Sequence, residues 1–161
     1  MFVDFKLLPD TSRVWVYQAD RKFTDIELDE ITSQLKSFVA NWQRHGENLK
    51  ASFEIKYKQF IVLGVDENFN DVSGCSIDAS VHIIQQLQKQ FEVDLLNKMN
   101  ITFKDGNTIN TVSLKQFKEY VQLNKIKPTT VVFNNMITSK ADLNTVWEVE
   151  ASKSWHAKFL N

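Results

Sequence analysis

The chain has 161 residues, 43% of them hydrophobic, with twelve Phe and four Trp; this predicts one domain with a substantial core and excludes a disordered chain. Nineteen basic residues against twenty acidic give a net charge of -1, so no nucleic acid or acidic membrane is expected as a partner. The single cysteine excludes an intramolecular disulfide and a cysteine zinc site, and no apolar run approaches the ~20 residues that span a bilayer.

The first ten residues, MFVDFKLLPD, place Asp4 and Lys6 inside what would be the apolar core of a signal peptide, so a cytoplasmic protein is expected. RVWVYQ (13–18) reads as a first strand. Thr24 is placed to cap a helix, with Asp25 and Glu27 in its first turn, where the helix dipole favours acids. Leu28, Ile31, Leu35, Phe38, Val39 and Trp42 follow at steps of three and four, which predicts an amphipathic helix to about residue 44 with Gly46 near its C-cap. ASFEIKY alternates Ala51, Phe53, Ile55 and Tyr57 on one face and predicts a half-buried strand. FIVLGV (60–65) is apolar on both faces, as in a central strand. Lys58-Gln59 between them lacks the Gly or Asn of a tight turn, which leaves a bulge or a bent continuous strand as the rival reading.

A second helix is predicted from about 77 to 91, with Ile83, Ile84, Leu87 and Phe91 on its buried face and VDLLNKM as a possible extension. Asp105-Gly106 marks a hairpin between ITFK and NTINTV. SLKQFKEYVQL reads as a third helix through Leu114, Phe117 and Val121, and TTVVFNN as a last strand. The tail from Lys140 reads as one or two short helical pieces. No linker, repeat or low-complexity tract divides the chain, so one domain is expected to span 1–161. The fold class expected is α/β (or α+β): a mixed sheet of about five or six strands, partly antiparallel, with three or four helices.

Phosphate-loop, dinucleotide-binding, HExxH, GxSxG, CxxC and EF-hand patterns are all absent, and four glycines leave little material for a nucleotide cradle. Attention therefore falls on SGCSID, where the strand 60–65 hands over to a helix, because ligands of open α/β sheets gather beyond strand ends. Ser73, Gly74 and Ser76 with the helix N-terminus would bind an anion, and Cys75 would be a thiolate nucleophile. His45 or His82 would take its proton, with Asp78 one turn before His82 to orient it. The structural alternative makes Gly74 a turn residue, Ser76 a cap, Asp78 a partner of the helix dipole and Cys75 a small buried hydrophobe. Replacing Cys75 by Ser is expected to leave the fold nearly intact on any reading.

Arg21, if it follows the first strand, would approach this corner and clamp a phosphate or carboxylate; an ion pair with Asp20 or Asp25 is the alternative. Asp66, Glu67, Asp71 and Asp78 form an acidic set that a metal-dependent nuclease would use, although no metal or other cofactor is expected. Trp155-His156 either covers a pocket or docks the terminus.

The stretches SRVWVYQADRKFT, FVANWQRHG, EIKYKQFIVLGVDE, SGCSIDAS, TVVFNN and WEVEASKSWHAKFL resemble a family of short Bacteroidetes proteins often labelled "ABC transporter ATPase". The likeness covers nearly the whole chain and implies no particular catalytic residue. None of these stretches contains a Walker A loop, so ATP hydrolysis is not expected. The function expected is binding of a small anionic ligand or peptide carboxylate around Cys75 and Asp66, with thiol chemistry in one version. A non-catalytic module that engages a protein partner, and a nuclease-like hydrolase using Asp66 and Asp78, are the alternatives.

Overall fold

In the computed structural model, which describes Met1–Asn161, FIVLGV is the central strand of a three-stranded sheet. In chain order the strands are β1 (Arg13–Gln18), β2 (Gln43–Arg44), β3 (Glu47–Asn48), β4 (Ala51–Lys56), β5 (Phe60–Val65), β6 (Asn100–Asp105), β7 (Thr108–Ser113), β8 (Val131–Phe133) and β9 (Glu148–Glu150). The helices are α1 (Asp25–Ala40), α2 (Gly74–Phe91), α3 (Leu114–Gln122) and α4 (Lys140–Thr145), with 3-10 turns at Phe5–Leu7, Ala151–Lys153 and Trp155–Phe159. The fold is mixed α/β, and its strands are divided among three sheets, β1-β5-β4, the small β2-β3 ribbon and β7-β6-β8-β9, with antiparallel pairing throughout each. No helix is long and apolar enough to cross a membrane.

The continuous apolar run of β5 exists because both faces of that strand are covered. Ile61, Leu63 and Val65 pack against Ile31, Leu35 and Val39 of α1 and Ile84 and Leu87 of α2. On the other face Phe60 and Val62 meet Phe133 of β8, Trp147 just before β9, and Phe5 and Leu8 from the N-terminal turn. A third cluster, around Ile101, Phe117, Val121 and Val132, fixes α3 and the C-terminal turns to the second sheet.

Gly64 sits where the N-terminal turn presses on β5. A Cβ there would lie 2.8 Å from Leu8 Cδ1 and 3.2 Å from Phe5 Cε2. Gly64→Val is therefore expected to cost about 2–3 kcal/mol by overpacking, read as a lowered urea midpoint; an unchanged midpoint would show that the turn lifts away freely.

Several elements differ from their expected bounds. Thr24 caps α1, as the pattern predicts, and Glu27 closes a capping box with it, but the helix stops at Ala40. Trp42 continues the spacing outside the helix because its indole is held elsewhere, donating to Ser76 O at 2.8 Å and packing on Phe38 and Trp15. His45 (φ +49) and Gly46 (φ +82) form the two-residue turn of the β2-β3 ribbon rather than a helix cap. β4 and β5 do form a hairpin, closed by Tyr57, Lys58 and Gln59, with Tyr57 and Lys58 at φ +54 and +55. The neighbouring chain holds this left-handed turn: Phe23 N donates to Lys58 O at 2.8 Å and Ala19 N to Gln59 O at 2.9 Å. In the β6-β7 hairpin the loop residues are Gly106 and Asn107, with Asp105 paired to Thr108. α2 ends at Phe91, where Glu92 turns left-handed at φ +53, so VDLLNKM does not extend it. β8 is not the last strand, since β9 follows α4 and pairs with it.

The two larger sheets are stapled by a polar triad. Tyr57 Oη donates to Glu148 Oε1 at 2.6 Å, and the Lys104 ammonium pairs with Glu148 and lies 3.3 Å from Tyr57 Oη. Burial pushes the Glu148 carboxyl up, but the Lys104 ammonium and the Tyr57 hydroxyl outweigh it and its pKa is lowered.

Candidate functional site

The corner around Cys75 is built by the start of α2. Ser73 is the N-cap, accepting from Ser76 N at 3.2 Å, while Ser73 N donates to Ser76 Oγ at 3.3 Å, so the pair closes a capping box. Ser73 rather than Ser76 therefore caps the helix, and α2 starts at Gly74, three residues earlier than expected. Ser76 does not face a ligand site. It is buried, and its hydroxyl donates to Gln43 O at 2.9 Å. Gly74 is the first helical residue and has no positive φ, so no turn demands it.

Cys75 is exposed, beside a shallow open hollow that it shares with Phe38, Asp78, His82 and Gln86. The structure thus brings together Cys75, Asp78 and His82, and it corrects the remaining assignments. His45 is at the exposed tip of the β2-β3 ribbon and does not line the hollow. Arg21 is at the far end of α2, about 27 Å of helix away. There it forms a two-pronged pair with Glu27 at 2.8 and 2.9 Å and donates to Phe91 O at 2.8 Å, which engages both terminal nitrogens of its guanidinium. That arginine, with the Thr24 backbone, holds the Glu27 carboxyl at a pKa of about 2. Asp66 is buried, accepts from Asn68 N at 3.0 Å and faces Lys50 Nζ at 3.7 Å, so it shapes the loop after β5 instead of lining a site. Asp66 and Asp78 do not share a site, and no group of three His, Cys, Asp or Glu side chains is placed to hold a metal.

Asp78 is the one carboxylate in the hollow, and no lysine or arginine lines it. An anion bound there would meet a like charge, which argues against the electropositive corner expected. Cys75→Ser is expected to change stability by less than about 0.5 kcal/mol in urea titration, because the thiol is exposed. A larger loss would mean that Cys75 carries packing its exposure hides.

A deeper cavity, of about 360 Å³, lies between the two larger sheets. β1 forms one side, the segment 95–102 another and the loop 133–138 a third, with Trp155 and His156 at the end. Trp155 and His156 line this cavity and also dock the C-terminal turn, His156 lying against Phe117 of α3. One wall is a satisfied polar relay: Gln18 Nε2 donates to Asn100 O at 3.1 Å, Asn135 Nδ2 to Gln18 Oε1 at 3.0 Å, and Trp147 Nε1 to Asn135 Oδ1 at 2.9 Å. These three bonds tie the sheets together without using the opposite end.

At that end Trp155 Nε1 is buried without a hydrogen-bond partner. A buried indole N–H with no acceptor costs free energy, and the packed side chains leave no water-sized space beside this nitrogen. The Trp155 ring stacks on His156 at 3.9 Å. His156 is buried, its Nδ1 lies 2.8 Å from Ser154 Oγ, and burial lowers its pKa to about 4, so the ring is neutral at pH 7. Arg13 and Lys98 line the cavity and no Asp or Glu does.

Residue order shows Trp155-His156 but not the rest of this site. Arg13, Gln18, Lys98 and Asn135 are ordinary polar residues in separate segments, and only the docking of one sheet on the other makes them neighbours. Compared with protein-family models, with curated proteins and with solved structures, the chain matches none.

Proposed function

We propose that the protein binds a small anionic molecule, an apolar body bearing a carboxylate, in the cavity between the two larger sheets. The observation that carries this reading is the inventory of the walls: aromatic surface from Trp15, Tyr17 and Trp155, two cationic side chains and no acid. The aromatic walls take the apolar body, and Arg13 or Lys98 takes the charge. This keeps the anionic ligand expected from the sequence and moves it from the Cys75 corner, whose rim carries a carboxylate, to a cavity whose rim carries cations.

The reading is of binding, with no bond-making step and no ATP hydrolysis. A cytoplasmic setting is part of it, because an exposed free thiol suits a reducing compartment.

Titration with 3-phenylpropionate and with its neutral amide, followed by the indole N–H resonance of Trp155, tests the reading. The acid is expected to move that resonance and to bind roughly tenfold tighter than the amide, and Arg13→Gln is expected to remove most of the difference. Equal binding of acid and amide, or a Trp155 resonance unmoved by millimolar acid, would overturn it.

A further inference from the structure

The outer edge of β1 is paired at both ends and open in the middle. At one end Lys140 N donates to Ser12 O at 2.9 Å and Val14 N to Thr138 O at 3.0 Å; at the other Asp20 N donates to Asp94 O at 3.2 Å. Even-numbered residues of this strand therefore turn their main-chain groups away from β5, as the alternation of an antiparallel ladder requires. Val16 and Gln18 lie between the two anchors. No segment of the chain pairs with their outward N–H and C=O groups, and both residues line the cavity. The cavity thus contains a notch in a sheet edge, about 14 Å long from Val14 to Gln18.

A row of unpaired main-chain groups is a template for an added strand. From this notch and the cationic lining we infer that the anionic ligand is a short extended peptide with a free C-terminal carboxylate, which adds to β1 as a partner strand between Thr138 and Asp94. Val16 exchanges main-chain hydrogen bonds with the peptide. The carboxylate goes to Arg13 or Lys98, and side chains that point off the strand meet the aromatic walls. About four residues cover the notch. This inference rests on the cavity being the anion site and adds to it the main-chain recognition that a simple carboxylate cannot use.

The test uses the full chain and the peptide acetyl-Thr-Val-Thr-Val with a free C-terminus, alongside 3-phenylpropionate. Two further peptides carry an N-methyl group, one on the second residue and one on the third. Successive N–H groups of a strand point to opposite sides, so one N-methyl peptide is expected to lose roughly tenfold or more in affinity and the other to bind like the parent. Val16→Pro removes the outward N–H and leaves the pairing with β5 in place, a substitution that edge strands accept. It is expected to weaken the parent peptide roughly tenfold, and clearly more than it weakens 3-phenylpropionate, which uses no main-chain group of β1. If 3-phenylpropionate binds and the peptide does not, or if both N-methyl peptides bind like the parent, the strand-addition inference is overturned and the anion reading stands. If neither probe binds, both are overturned.

Discussion

Replacing Lys140 by methionine is expected to cost about 3 kcal/mol, one of the two strongest effects the structure implies. Lys140 is the first residue of α4, and its ammonium is buried with no carboxylate beside it. It donates instead to three main-chain carbonyls of the N-terminal turn, Leu8 O at 2.6 Å, Phe5 O at 3.1 Å and Lys6 O at 3.3 Å, and it lies 5.5 Å from the centre of the Phe5 ring. Bonds from a charged donor are worth about 1.5–3 kcal/mol each, but the cost of dehydrating the ammonium offsets part of the gain. Methionine fills a similar volume and donates nothing, so the loss is that of the three bonds less the cost of dehydrating the ammonium. With a urea dependence of about 2 kcal/mol per molar, the midpoint should fall by about 1.5 M. Amide exchange of residues 5–8 should accelerate along with it. A midpoint shift below about 0.5 M would show that water enters and replaces the ammonium, and that Lys140 is not what ties the N-terminal turn to α4.

The second large effect is on pH dependence, through His156. Burial holds its pKa at about 4, whereas in the unfolded chain it titrates near 6.5. Between those values the unfolded state binds the extra proton, so stability is full above pH 6.5 and is lost as the pH falls toward 4. The shift corresponds to about 3 kcal/mol at the acid end, a large share of the 5–15 kcal/mol that ordinarily holds a domain. The depressed carboxyls of Glu27 and Glu148 lose their contributions only below their ordinary value near 4.5, so they do not account for a fall at pH 5–6. Urea midpoints measured from pH 7.5 to 4.5 should therefore decline for the wild type and stay flatter for His156→Phe. The phenyl ring retains the stacking on Trp155 and the contact with Phe117. Parallel pH curves for the two proteins would mean that His156 is protonated in the folded state.

Both effects arise at groups whose importance residue order does not show. Nothing about Lys140 in SKADLN distinguishes it from the other lysines of the chain; its buried role depends on α4 docking beside the N-terminal turn. His156 is visible as a neighbour of Trp155, and a pocket at that place is a fair expectation. That the ring is sealed and neutral depends on Phe117 of α3 lying against it.

Local signals were strong wherever the physics is local. Thr24 and Glu27 close a capping box because the four residues involved are consecutive, and α1 follows from them. The six apolar residues of β5 announce a strand covered on both faces, and Gly106 announces the β6-β7 turn because a positive φ favours glycine. The absence of phosphate-loop and zinc patterns is likewise a property of residue order. The β4-β5 turn was illegible for the converse reason. Tyr57 and Lys58 are poor left-handed residues, and they adopt that shape because Phe23 and Ala19 bond across to the turn.

The same division runs through the site. Cys75, Asp78 and His82 are close in sequence on one helix, so their grouping is legible directly, whereas Arg21 and His45, expected there from their places near element ends, stand elsewhere. The cavity that collects Arg13, Gln18, Lys98, Asn135 and Trp155 exists because two separate antiparallel sheets face each other and leave β1 open between its anchors. Helix caps, turns and burial patterns are written in neighbouring residues. The meeting of two sheets is a long-range packing outcome, and it alone decided where this cavity lies.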